Sequence, residues 1–98
     1  MIYLKVHLGE IAYAKAGRDA GKLFIVVSAD NGYFQLCDGK SRKTDNLKKK
    51  HPRHLVLTEV FDEEIRKKLS EGESVTNRQV RQAISKHRGC LEEITKKE

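Results

Sequence analysis

The first half of the chain alternates apolar and polar residues with the two-residue period of β-strands. Residues 23–27, Leu-Phe-Ile-Val-Val, form an uninterrupted β-prone run, which predicts a strand covered on both faces. The segments that fit a strand are residues 2–8, 11–15, 23–27, 33–37 and 55–57. Several short strands separated by turns predict a small β-barrel rather than an open α/β sheet.

Turn residues separate these segments. Asn31-Gly32 is the preferred pair for a type I′ hairpin turn, and Asp38-Gly39 is a second hairpin signal. Pro52 lacks a backbone N–H and therefore limits any strand ladder around it. We accordingly expect a short strand and an exposed loop within residues 40–54.

From residue 58 onward the pattern predicts helices. Asp62 is placed to cap a first helix that carries Ile65 and Leu69 on one face. Gly72 is placed to end it. The mainly-β part is thus predicted over residues 1–57, and a two-helix extension packed on it over residues 58–98.

The second helix has the clearer start. Thr76 and Gln79 form a Thr-x-x-Gln capping box, and Gly89 is predicted to end the helix. Residues 91–98 are then expected to be frayed or loosely docked. One side of the helix carries Val80, Ala83, Ile84, His87 and Leu91, and the other carries Arg78, Arg81, Gln82, Ser85 and Arg88.

The charge is concentrated in one segment. The 98 residues carry a formal net charge of +6, and residues 40–54 hold seven basic residues against one acidic residue, Asp45. The rest of the chain has 13 basic and 13 acidic residues. Because the whole excess is local, the segment is expected to bind a polyanion. A solvated loop that only favours solubility is the alternative.

A glycine-rich loop joins the second and third predicted strands. It reads Gly17-Arg18-Asp19-Ala20-Gly21-Lys22 and is followed by the valine-containing strand. This pattern resembles the KOW motif of large-subunit ribosomal proteins and NusG-type transcription factors. With the lysine run at residues 48–50 and His54-Leu55, the similarity covers rather more than half the chain. It most resembles small bacterial KOW-domain RNA-binding proteins related to the archaeal and eukaryotic "fourteen-e" ribosomal protein.

The resemblance implies a small SH3-like (KOW) β-barrel that binds RNA, with ribosomal RNA as the expected partner and ribosomal proteins as a second class of partner. Two residues depart from the family pattern: Phe24 replaces a frequent glycine, and Ala20 replaces a frequent lysine. Gly17, Asp19 and Gly21 are expected to shape the loop. The residues expected to contact RNA are Lys15, Arg18, Lys22, Lys40, Arg42, Lys43, Lys48, Lys49, Lys50, His51, Arg53 and His54.

Other chemistries lack the residues that they require. No catalytic constellation is present, so we expect neither an enzyme nor a cofactor nor a small-molecule substrate. His51 and His54 have no further metal ligands at a suitable spacing. Cys37 and Cys90 lack C-x-x-C partners, which favours a reducing cytoplasm, and Cys37 is expected to be a core residue. Tyr33 is expected to pack on the barrel rather than stack on a base.

Three functional hypotheses follow. The first is RNA binding through the glycine loop and the basic segment. The second is a helix-turn-helix DNA binder formed by residues 62–89, with the arginine-rich side of the second helix facing the groove. The third is a protein-interaction adaptor in ribosome or transcription complexes. No apolar run approaches the ~20 residues of a membrane span, so no membrane partner is expected.

Overall fold

Five strands precede two helices in the computed structural model, which describes residues 7–15 and 21–96, apart from the side chains of residues 30 and 89–96. The strands are β1 (Glu10–Ala14), β2 (Leu23–Asp30), β3 (Tyr33–Cys37), β4 (Lys48–Lys50) and β5 (Leu55–Phe61). The helices are α1 (Glu63–Ser70) and α2 (Asn77–Lys96), and a 3₁₀ turn (Pro52–His54) separates β4 from β5. The mainly-β architecture with two C-terminal helices is confirmed. Closure of the sheet into an SH3-like barrel stays a prediction.

The five strands of the described residues form one antiparallel sheet in the order β4-β3-β2-β1-β5. The predicted hairpin turn at Asn31-Gly32 is confirmed: φ is 50° at Asn31 and 83° at Gly32, and Asp30 pairs with Tyr33. Positive φ at both central residues is the mark of a type I′ turn, whose twist matches that of the flanking strands.

The central strand β2 is covered on both faces, as its sequence predicts. Ile25 belongs to one apolar cluster together with residues of α1 and α2. Phe24 and Val26 point the other way, into a second cluster with Phe34 and Leu36. The two-residue period of a strand therefore divides one apolar run between two cores.

The predicted signals at the ends of α1 are confirmed. The Asp62 carboxylate accepts a hydrogen bond of 3.0 Å from the backbone N–H of Ile65. At the other end Gly72 and Glu73 donate to carbonyl groups of the last turn, which is a Schellman motif. These caps satisfy groups that a helix end otherwise leaves without partners.

The capping box of α2 is confirmed, but its predicted end is wrong. The Thr76 N–H donates to the Gln79 side chain over 2.9 Å, and the Gln79 N–H donates to the Thr76 hydroxyl over 3.1 Å. The helix continues through Gly89 to Lys96. A glycine in a helix interior costs only about 1 kcal/mol relative to alanine, and the residues after it favour helix. Residues 91–96 are thus helical rather than frayed.

The strand boundaries differ from the prediction in three places. Only residues 7 and 8 of the predicted first strand lie among the described residues, and they belong to a turn. The chain forms no tight hairpin at Asp38-Gly39; residues 38–47 form a longer loop before β4. Strand β5 continues past residue 57 to Phe61, because a bulge at Glu59 (φ 65°) lets Phe61 pair with Glu10. Neither helix is both long and apolar enough, within the part of the chain described, to cross a lipid bilayer.

Candidate functional site

The two ends of the glycine loop lie side by side. Gly17, Arg18 and Asp19 fall outside the described residues, whereas exposed Lys15 follows β1 and exposed Lys22 precedes β2. The backbone N–H of residue 14 donates to the Lys22 carbonyl over 3.3 Å. We call this end of the sheet, where β1 and β3 finish and β2 begins, the loop end.

The lysine run occupies an edge strand, and its side chains alternate between the two faces. The pairs between β3 and β4 are Phe34 with Lys50, Gln35 with Lys49 and Leu36 with Lys48. Paired residues of antiparallel strands project to the same face. Half-buried Lys48 and Lys50 therefore share the face of a buried cluster, whereas Lys49 is exposed on the opposite face. The three lysines do not form one uniform cationic surface.

An exposed aromatic side chain lies beside Lys49. Tyr33 is 40% exposed, and the Lys49 Nζ lies 5.9 Å from its ring centroid. The His51 ring meets the Tyr33 ring edge-on, with centroids 5.5 Å apart, and the His54 ring is 6.3 Å from His51. We call Tyr33, Lys49, His51, Arg53 and His54 the Tyr33 cluster. The sequence analysis left Tyr33 out of the residues expected to contact RNA, because alternation in β3 gives no sign of which residues the helices leave uncovered.

The 3₁₀ turn holds this cluster in place. The His51 Nδ1 accepts a hydrogen bond of 3.1 Å from the backbone N–H of Arg53 and caps the turn. The His54 carbonyl accepts a bond of 3.0 Å from the backbone N–H of Lys15. The turn therefore connects the Tyr33 ring at one side with the loop end at the other.

Asp38 organises the basic loop that follows β3. One carboxylate oxygen accepts from the backbone N–H groups of Lys40 and Arg42 over 2.9 and 2.8 Å. The other accepts from the Ser41 hydroxyl over 2.9 Å. Partial burial raises the pKa of Asp38, but these hydrogen bonds and the charge of Lys22 outweigh it, so the pKa lies below its usual value. Lys40 and the following Lys43 are exposed, and Arg42 is half-buried.

Helix α2 is joined directly to this loop. Gly39 has a φ of 78°, and a Cβ there would lie 2.5 Å from the Asn77 carbonyl oxygen. The Arg81 Nη1 donates to the Gly39 carbonyl over 2.7 Å, and the Asn77 side chain accepts from the backbone N–H of Thr44 over 2.8 Å. Only glycine fits this close approach, which fixes the first turns of α2 against the basic loop.

A cavity of about 380 Å³ opens at the loop end between the sheet and α2. Sequence reasoning assigned Lys22 and Lys40 to an RNA surface and Arg81 and Arg88 to the alternative helical one, and the structure brings the four together. We call the cavity the loop-end pocket. Among the described residues, its polar and charged lining consists of Lys22, Asp38, Lys40, Arg81, Ser85 and Arg88. No local sequence signal indicates this pocket, because its residues come from three distant segments.

The arginine-rich side of α2 is divided between two clefts. Arg81, Ser85 and Arg88 line the loop-end pocket, whereas Gln82 lines a separate cleft between α1 and α2. A groove-binding helix needs such side chains on one accessible face. All five side chains on this side of α2 are exposed, and the helix-turn-helix hypothesis stays a prediction.

Cys37 has the environment of a structural thiol. It is fully buried at the end of β3 and forms no disulfide. Burial, with a smaller contribution from Asp38, raises its pKa to about 11, so the reactive thiolate is scarce at neutral pH. Its predicted place in the core is confirmed. Among the side chains that the structure describes, in residues 7–15, 21–29 and 31–88, no group of three or more His, Cys, Asp or Glu residues is arranged to hold a metal ion.

The chain matches no protein-family model and no curated protein. The KOW resemblance therefore rests on the residues of the glycine loop and the basic segment alone.

Proposed function

We propose that the chain is a non-enzymatic, KOW-type RNA-binding module, with ribosomal RNA as its expected partner. The observation that carries the proposal is the Tyr33 cluster, in which an exposed aromatic ring lies beside the segment that holds the whole charge excess, residues 40–54. Aromatic rings stack on unpaired bases, and flanking cations bind the phosphates. An accessible ring among cations fits single-stranded or looped RNA better than a duplex.

The short connection between the two edge strands supports an SH3-like barrel. In a flat sheet, four strand spacings would separate β4 from β5 by about 19 Å. Following the strand pairs across the sheet, Lys50 lies in the same row as Ala29, near the end of β2. Leu55 lies in the same row as Lys22, just before β2 begins. This adds about 20 Å along the strands. Five chain steps reach at most about 18 Å, so a curled sheet of the SH3-like kind fits this connection better than a flat one.

The proposal predicts salt-dependent RNA binding that depends on the exposed cations of the Tyr33 cluster. Each neutralised phosphate releases counterions, so we expect a log–log salt slope of about −3 to −6. The variant Lys49→Glu/Arg53→Glu should weaken binding at least tenfold, because both exposed side chains then repel the phosphates. Fluorescence anisotropy with a labelled ribosomal-RNA fragment measures the affinity at several salt concentrations.

A matched control separates this effect from a change in net charge. Lys67→Glu/Lys86→Glu makes the same charge change at two exposed helical positions outside the cluster. We expect that control to bind within threefold of wild type. If the cluster variant is folded, as judged by circular dichroism, yet binds like the control, the proposed interface is wrong. RNA-independent co-purification of a protein at high salt would instead favour the adaptor hypothesis.

A further inference from the structure

We propose that the loop-end pocket binds a phosphate group of the RNA backbone, and that helix α2 is therefore part of the RNA-binding surface. The inference rests on the proposed RNA-binding function and extends it to a site formed by three parts of the fold. Among the residues that the structure describes, four cations and one carboxylate line the pocket. Asp38 accepts hydrogen bonds from its own loop and interacts electrostatically with Lys22, so its single negative charge offsets one of the four positive charges. The pocket thus has a strong cationic excess, which an anion offsets.

Arg81 is held in place for this role. One of its N–H groups bonds to the Gly39 carbonyl, and a guanidinium has five N–H donors in a fixed planar arrangement. The bond to Gly39 orients the plane and leaves donors for a phosphate. A pre-positioned arginine loses less entropy on binding than a freely rotating one.

The spacing along α2 places three donors together. Arg81, Ser85 and Arg88 stand at positions i, i+4 and i+7, which share one face of a helix. This face meets Lys22 and Lys40 across a cavity of about 380 Å³, a volume within the range of sites that hold small ligands. The pocket therefore has room for a phosphate and part of its nucleotide.

A series of contacts connects the pocket to the Tyr33 cluster. The His54 carbonyl bonds to the backbone of Lys15, and the Lys22 carbonyl bonds to residue 14. The backbone at residues 14 and 15 thus lies between the 3₁₀ turn and Lys22, which lines the pocket at the loop end. An RNA strand whose base stacks on Tyr33 can extend along this line and place a later phosphate in the pocket.

Arg88→Glu and Arg78→Glu test the inference with equal charge changes on one helix. Both arginines are exposed on α2, and Arg88 lines the pocket whereas Arg78 does not. We expect Arg88→Glu to weaken RNA binding about tenfold and to reduce the magnitude of the salt slope by about one. Arg78→Glu should weaken binding no more than threefold. Thermal melting by circular dichroism establishes that both variants are folded.

The outcomes separate this inference from the proposed function. If Lys49→Glu/Arg53→Glu weakens binding while Arg88→Glu equals Arg78→Glu, the proposed function stands and the phosphate pocket is overturned. If Arg88→Glu weakens binding while the cluster variant does not, the pocket is supported and the Tyr33 interface is wrong. If none of these variants changes binding, both are overturned.

Inorganic pyrophosphate distinguishes an RNA phosphate from a free anion as the source of the ligand. As a competitor at one fixed ionic strength, it should displace RNA from the wild type more effectively than from Arg88→Glu. If calorimetry shows pyrophosphate binding that leaves RNA affinity unchanged, the pocket is a site for a free anion, and its assignment to RNA is overturned.

Discussion

The Tyr33 cluster and the loop-end pocket are built in different ways. The cluster uses an edge strand, a 3₁₀ turn and the neighbouring start of β3, so most of its residues are close in sequence. The pocket needs α2 to be docked on the loop that follows β3, with Gly39 between them. The pocket should therefore be lost when the helix loosens, whereas the cluster should persist. The charge of a whole segment gives no sign of the arginines at the pocket, because residues 58–98 contain nine basic and nine acidic residues.

Gly39→Ala is expected to have the largest effect and to separate the two regions. The added Cβ would collide with the Asn77 carbonyl oxygen at the left-handed φ of Gly39. We expect a loss of about 2–3 kcal/mol in the free energy of unfolding, measured by urea denaturation. Under conditions in which the Gly39→Ala variant is fully folded, its RNA affinity should no longer depend on Arg88 but should still depend on Lys49.

Gly72→Ala serves as the control for strain alone. Gly72 has a similar φ of 76°, but nothing lies within 4 Å of its added Cβ. We expect it to cost about 1 kcal/mol and to leave RNA affinity unchanged. Equal costs for the two alanine variants would show that the contact between Gly39 and α2 contributes nothing.

Tyr33→Ala sharpens the comparison from the side of the cluster. Stacking of a base on an aromatic side chain contributes about 1–3 kcal/mol, so we expect RNA affinity to fall roughly tenfold. Because Tyr33 is exposed, folding stability should change little. Tyr33→Phe retains the ring and should bind nearly as well as wild type in the anisotropy assay. An equal loss in both variants would assign the effect to the hydroxyl group and contradict stacking.

Protonation of Asp38 at low pH should loosen the basic loop at the pocket, and we expect this effect to be smaller than those of Gly39→Ala and Tyr33→Ala. Because the folded-state pKa of Asp38 is lowered, its carboxylate contributes stability above the unfolded-state pKa of about 3.9. That contribution is lost as the pH falls through the lower folded-state pKa. Urea denaturation between pH 6 and pH 3 should therefore show a steeper loss of stability for wild type than for Asp38→Asn. If the free energy of unfolding falls with pH equally in wild type and Asp38→Asn, the Asp38 carboxylate does not stabilise the loop.

Features with a local cause were predictable from the sequence. The type I′ turn at Asn31-Gly32 and the capping box at Thr76 and Gln79 each depend on a few adjacent residues. Gly89 misled the prediction, because a stop signal in sequence is only an energetic preference that neighbouring helix formers can override. The Asp38-Gly39 dipeptide predicted a tight hairpin. The chain does turn there, but the Asp38 carboxylate accepts hydrogen bonds from Lys40 and Arg42 and so stabilises a longer loop.

Features that depend on tertiary arrangement were not predictable. The two-residue period shows that Lys49 faces away from Lys48 and Lys50, but only strand order shows that β4 is an edge. The exposure of Tyr33 depends on what the helices leave uncovered. The loop-end pocket joins Lys22 to Arg88 across the whole fold, and no periodicity relates positions that far apart.

The alkylation rate of the buried Cys37 thiol reports how often the core opens. Alkylating reagents attack thiolates, and with a pKa of about 11 and no exposed surface this thiol reacts only after β3 separates from α2. In a Cys90→Ser background, the rate of alkylation therefore counts opening events under native conditions. Bound RNA that contacts both the sheet and α2 would lower the alkylation rate of Cys37. The labelling of this one sulfur atom would thus show how firmly α2 is held against the sheet.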